Sequence, residues 1–129
     1  AVPAAEPDLS KMSNLYTSAT LMAPGLMTPS AGATHVTREV LMRRPTLGLK
    51  LLDVHLTRMQ PGHEKKAHVD ATHDVLLIVL EGEVLLLPQR TKAGPDSVAL
   101  LPAGVKHGIA NVGQSPSLHY AIEFNDLGG

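Results

Sequence analysis

An all-β chain folded as a sandwich or barrel is what this sequence predicts, on three observations. Short apolar runs recur at regular spacing, Pro and Gly punctuate them, and no long stretch carries a helical period. Taken in order, residues 1–14 read as a flexible lead. Residues 15–34, with Pro24, Gly25, Pro29 and Gly32, read as short strands joined by turns or as an arm. Val36 to Met42 fits either a strand or one helical turn. Strands are expected at 47–59, 75–80, 83–88, 97–101, 107–111 and 117–124, separated by Pro61-Gly62, Gly82, Gly94-Pro95, Pro102-Gly104 and Gly113. The chain thus divides into a lead and arm over 1–34 and one β domain over 35–129.

Composition narrows the function. A chain of 129 residues makes one domain, large enough to bury most of its apolar surface without the disulfides that a chain lacking cysteine cannot form. Two tyrosines, one phenylalanine and no tryptophan leave the core to Leu, Val, Ile and Met, and leave no stacking platform for bases. A formal charge of -1 supplies no basic stripe, so nucleic acid is not an expected partner. The longest apolar run, Val75 to Leu80, falls far short of the roughly 20 residues a spanning helix needs, so no membrane partner is expected and the protein reads as soluble. The start Ala1-Val2-Pro3-Ala4-Ala5-Glu6-Pro7 has the small residues that remain after a signal peptide is released, which predicts a secreted or periplasmic protein; a trimmed cytoplasmic chain would begin the same way.

Two stretches carry the chemistry. Between Gln60-Pro61-Gly62 and the run starting at Val75 lie His63, His68, Asp70, His73 and Asp74. Further on, Pro102-Ala103-Gly104 closes the strand before it, and the turn Gly104 allows sends the chain back with His107 near the start of the next strand. Without cysteine, a metal site here has only imidazole nitrogen and carboxylate oxygen, donors suited to Fe, Mn, Zn, Ni or Cu.

Together these stretches resemble the two motifs of the cupin superfamily, in its small single-domain type-2 form. Gly62, five residues, His68, Val69 and Asp70 follow the first motif, with Asp70 where a second histidine is usual, Val75 at the glutamate position and Gly82 six residues after it. Pro102, Gly104, His107 and Asn111 follow the second, whose leading glycine position holds Asp96. The resemblance spans roughly residues 45–124. It implies a jelly-roll-like double-stranded β-barrel and a divalent metal held by motif residues, of which His68 and His107 are retained. Val75 cannot bind a metal. Side chains two apart on a strand share a face, so His73 is a replacement for the missing glutamate if the strand has begun there, with Asp70 as a fourth ligand or as a group orienting an imidazole.

The expected ligand set is therefore His68, Asp70, His73 and His107. The resemblance implies a small oxygenated substrate handled by dioxygenase, isomerase or lyase chemistry; a non-catalytic metal or small-ligand binder and a metal-free, sugar-binding barrel are the alternatives. It also makes a homodimer, joined through the N-terminal arm, an expectation. Other histidines rank lower. His63 follows a turn and is expected in solvent. In 52–57 the apolar Leu52, Val54 and Leu56 alternate with Asp53, His55 and Thr57, a polar strand face that a barrel can nevertheless turn inward. His119 shares a face with Glu123, and His35 reads as incidental. A general base would come from Asp70, Asp74, His55 or His119.

Overall fold

A computed structural model describes residues 15–25 and 36–126. The expected lead over 1–14 and His35 lie outside those residues, as does the stretch 26–34 of the arm. Nine strands are present: β1 (Val36–Arg44), β2 (Leu49–Met59), β3 (Glu64–Val69), β4 (Asp74–Glu81), β5 (Val84–Leu87), β6 (Thr91–Ala93), β7 (Val98–Leu101), β8 (Lys106–Ala110) and β9 (Ser117–Asp126). They form a five-stranded sheet in the order β1-β2-β9-β4-β7 and a four-stranded sheet in the order β3-β8-β5-β6, with every named pairing antiparallel. No helix occurs among the described residues. The ambiguous stretch from Val36 is strand β1, paired along β2 with a bulge between Val40 and Met42.

Two strands escaped the pattern. β3 reads Glu64-Lys65-Lys66-Ala67-His68-Val69, with no apolar period, and it forms because β8 offers it a ladder. As an edge strand it is mostly exposed, and its charges guard that edge against pairing with other chains. β6, at the opposite edge, has three residues inside what reads as a polar loop.

Met59, Val75, Leu77, Val79, Val84 and Ile109 pack between the sheets as the largest buried cluster. The motif residues hold its ends together. Gly104 adopts φ +84°, the left-handed conformation that its turn demands. That turn is fastened to the other motif: the Gly104 amide donates to the Asp70 carbonyl at 2.8 Å, and the Ala103 amide donates to Asp74 Oδ1 at 2.8 Å. Asp74 thus ties the start of β4 to that turn. At the leading position of the second motif, Asp96 takes φ +69°, so the site still demands the left-handed region, and aspartate is among the few non-glycine residues that tolerate it.

Asn111 is 1% exposed and donates through Nδ2 to the Met59 carbonyl at 3.0 Å and the Ser115 carbonyl at 2.9 Å, while its Oδ1 accepts from the Gly113 amide at 3.0 Å. It therefore staples β2 to the loop after β8. Asn111→Ala strands three backbone groups, and urea unfolding is expected to show a loss of about 2 kcal/mol with the slope unchanged.

The N-terminal segment 15–25 lies on the same chain. Tyr16 bridges Thr46 in parallel, the Arg44 guanidinium stacks 5.2 Å over its ring, and the Gly25 amide donates to the Glu39 carboxylate at 3.0 Å.

Candidate metal and ligand site

The polar alternation in β2 faces inward. Asp53, His55 and Thr57 are 0%, 6% and 8% exposed, and His119 on β9 is 4% exposed. A buried polar strand face is stable only where its groups find partners or a ligand. Here His55, Thr57 and His119 line a cavity of about 250 Å³ between the sheets, whose apolar walls include Val36, Met59, Leu77 and Ile109. His63 lines it too and is half-buried, which corrects the expectation of a solvent residue.

Both motif histidines line this cavity. His68 and His107 are register partners across β3 and β8, and their rings stand edge to face with centroids 4.7 Å apart. The pairing depends on Gly108. A Cβ there would lie 2.6 Å from the Lys65 carbonyl and 2.7 Å from the Ala67 amide, so only glycine lets β3 pass with its bulge between Lys65 and His68. Each imidazole is oriented by a backbone carbonyl: His107 Nδ1 donates to Val105 at 3.1 Å and His68 Nδ1 to Lys66 at 3.4 Å. With Nδ1 as the donor, it is Nε2 of each ring that remains to ligate a metal.

The other two expected ligands make a separate group. Asp70 and His73 do not line the cavity; they meet each other, with His73 Nδ1 3.2 Å from Asp70 Oδ2, and they meet Glu123. Ligand atoms of Asp70, His73 and Glu123 all lie within 4.8 Å of one another, and among the described residues no other set of three or more does so. His73 sits directly before β4, whose first residue is Asp74. Glu123 belongs to both places, since it also lines the cavity with His68 and His107.

Glu123 is the residue that motif reasoning missed. It is the cross-strand partner of Val75, the position where the first motif's glutamate is usual, and Asp53 is its partner on the other side. Directly opposed residues project from the same face. A carboxylate thus stands one strand over from the motif's glutamate position, a placement that spacing along the chain cannot show.

The electrostatics separate the groups by role. Burial pushes the Asp70 carboxyl up, but the Thr72 and His73 amides and the His73 ring outweigh it and hold the group below its ordinary value. Burial lowers His119 to about 4, helped by the nearby charges of His55 and Lys65, so its ring is neutral near pH 7. His55 is also lowered, with burial first; its bond to Asp53 opposes the shift and Arg38 adds to it. His55 Nδ1 lies 2.9 Å from Asp53 Oδ1, and Arg43 Nη1 donates to Asp53 Oδ2 at 2.9 Å. The buried carboxylate therefore fixes His55 with Nδ1 protonated and Nε2 free. Glu81 and Glu83, read as solvated, pair at the surface with Arg58 at 3.5 Å and Lys92 at 3.7 Å.

Two facing antiparallel sheets around a histidine-lined interior cavity define a double-stranded β-barrel. The chain belongs to the cupin domain family, whose profile matches residues 55–122, more than half of its length. Solved structures agree on the fold. The protein TT1209 from Thermus thermophilus is 25% identical, with a TM-score of 0.60 over 70% of this chain and 83% of that one. A cupin superfamily protein from Desulfitobacterium hafniense is 21% identical, with a TM-score of 0.58 over 90% and 99%. The polyketide cyclase RemF from Streptomyces resistomycificus is 16% identical, with a TM-score of 0.59 over 70% and 66%. No curated protein matches the chain.

Proposed function

We propose that this cupin binds one divalent transition metal, Fe, Mn, Zn, Ni or Cu, through Asp70, His73 and Glu123, the last of which also lines the cavity beside the motif histidines His68 and His107. The observation that carries the reading is the clustering of an imidazole and two carboxylates with ligand atoms within 4.8 Å. The donor set fits such an ion: one imidazole nitrogen, carboxylate oxygens and an ionised Asp70. When bound, the ion supplies Lewis-acid or oxygen chemistry.

The chain's own residues set what that chemistry acts on. Apolar walls and a small volume select a small, partly apolar, oxygenated molecule and keep water from it. His55, oriented by Asp53 and lowered by burial, accepts a proton at Nε2 in the manner of a general base, and Asp53 stabilises the imidazolium that results. Oxygenation, isomerisation and elimination all need such a base, and the fold it shares with a protein named as a polyketide cyclase is compatible with carbonyl substrates.

A competing reading is a metal-free binding barrel. Asp70 Oδ1 already accepts from the Thr72 and His73 amides at 3.0 and 3.1 Å, as a turn cap would. Metal content and affinity of purified variants separate the two. On the metal reading, Asp70→Asn and His73→Ala each lower affinity about tenfold or more, and His63→Ala leaves it unchanged. Equal occupancy in all three overturns the metal reading.

A further inference from the structure

One end of the cavity carries two cations that no ion pair joins to a carboxylate among the described residues. Arg38, Thr57 and His119 form a row across β1, β2 and β9, since Arg38 pairs with Thr57 and Thr57 with His119. Lys65, from β3 in the facing sheet, lines the same cavity, and its charge reaches His119. The nearby carboxylates already have partners: Asp53 lies beneath the lining, bonded to Arg43 and His55, and Glu123, whose charge also reaches His55, clusters with Asp70 and His73. Among the described residues no ion pair joins a carboxylate to Arg38 or Lys65.

Arg38 Nη2 lies 3.2 Å from His55 Nδ1, but that nitrogen spends its proton on Asp53 and has no lone pair to accept with. The guanidinium fork is therefore left with donors facing a cavity. His119 points the same way. Its Nδ1 is buried without a partner. A buried N–H left unbonded costs more than an unfilled lone pair, so the neutral ring places its proton on Nε2 and offers a donor to the cavity it lines. Two cations and a neutral N–H donor beside an apolar wall recognise an anion with a short hydrocarbon body.

We propose that this end of the cavity is a binding subsite for a small organic monocarboxylate, clamped by Arg38 and Lys65 and hydrogen-bonded by His119. The proposal rests on the cavity being the ligand site, as in the function proposed above, and names the class of molecule it takes. A planar carboxylate matches the guanidinium fork in two parallel bonds, and the remaining carbons lie on Val36, Met59, Leu77 and Ile109.

The test is calorimetric and NMR titration of chelator-stripped protein near pH 7 with butanoate, butanamide and inorganic phosphate. Butanoate is expected to bind saturably and to shift the ring signals of His119, while butanamide does not bind and phosphate binds more weakly. Arg38→Gln and Lys65→Gln, both at exposed positions, are each expected to weaken butanoate at least tenfold without loss of folding. No saturable butanoate binding, equal binding of the amide, tighter binding of phosphate, or unchanged affinity in both variants overturns the proposal. Measuring metal affinity on the same protein keeps the two readings apart. Butanoate binding in a protein that takes up no metal defeats the metal site alone. Butanoate binding that appears only with metal and survives Arg38→Gln defeats the carboxylate subsite alone.

Discussion

Acidification from about pH 7 to about pH 4 is expected to destabilise this protein by roughly 3 kcal/mol through His119 alone, and His119→Gln to remove most of that loss. In the unfolded chain the imidazole takes up a proton near 6.5; buried, it does so only near 4. Between those values the unfolded state binds more protons than the native one, so stability rises with pH across the window and is lost as pH falls through it. At about 1.4 kcal/mol per tenfold difference in proton affinity, the gap gives the figure above.

The groups around the ring act in the same sense. His55 on β2 and Lys65 on β3 both disfavour an imidazolium at His119, and Arg38 disfavours one at His55. His55, also lowered, adds to the loss. Asp53 and Glu123, the latter on His119's own strand, oppose the shift at His55 but are outweighed by burial with Arg38. Asp70 does not mask the effect: it starts from 3.8 and is lowered, so its contribution is lost only at more acid pH. Urea unfolding of the parent and His119→Gln at about pH 6.5 and about pH 4.5 reads the difference. Parallel loss in the two proteins would show that the buried ring is not the group that titrates.

The barrel was legible in the sequence because its turns are chemically explicit. Pro61-Gly62 and Pro102-Gly104 mark real reversals, and the apolar runs at 75–80, 98–101 and 117–124 all became strands. β3 was hidden because an edge strand held by one neighbour needs no apolar period. The inward face of β2 was left open for a related reason. Alternation shows that Asp53, His55 and Thr57 share a face, but which face a barrel buries depends on whether the interior is a packed core or a cavity. The histidine pair was readable from the motifs; that Glu123 joins them was not, because strand register across β4 and β9 brings residues 48 positions apart into contact. Asp96 shows the opposite case, in which an apparent departure from the motif keeps the backbone conformation while changing the side chain.

Moving the carboxylate back across the ladder gives the sharpest test of the metal site. Glu123→Gln removes one charged oxygen donor and is expected to weaken divalent-metal affinity about a hundredfold, at the upper end of what single changes around a metal cost. Val75→Glu alone sets a second carboxylate in a nearly dry position beside Glu123, since Val75 is 5% exposed and directly opposite it. Without metal that variant is expected to lose about 2 kcal/mol or more of stability, part of it regained on metal addition because the ion binds only the folded state. The double variant Val75→Glu/Glu123→Gln restores one carboxylate to the same face from the neighbouring strand. Its affinity is expected to recover to within about tenfold of the parent, a coupling that two independent effects cannot produce. Titration with Zn or Mn, followed by calorimetry, reads all four proteins. If Glu123→Gln binds as tightly as the parent, or if the double variant is no better than Glu123→Gln, then Glu123 does not stand in for the motif glutamate, and the ion, where one binds, is held by the His68–His107 pair instead.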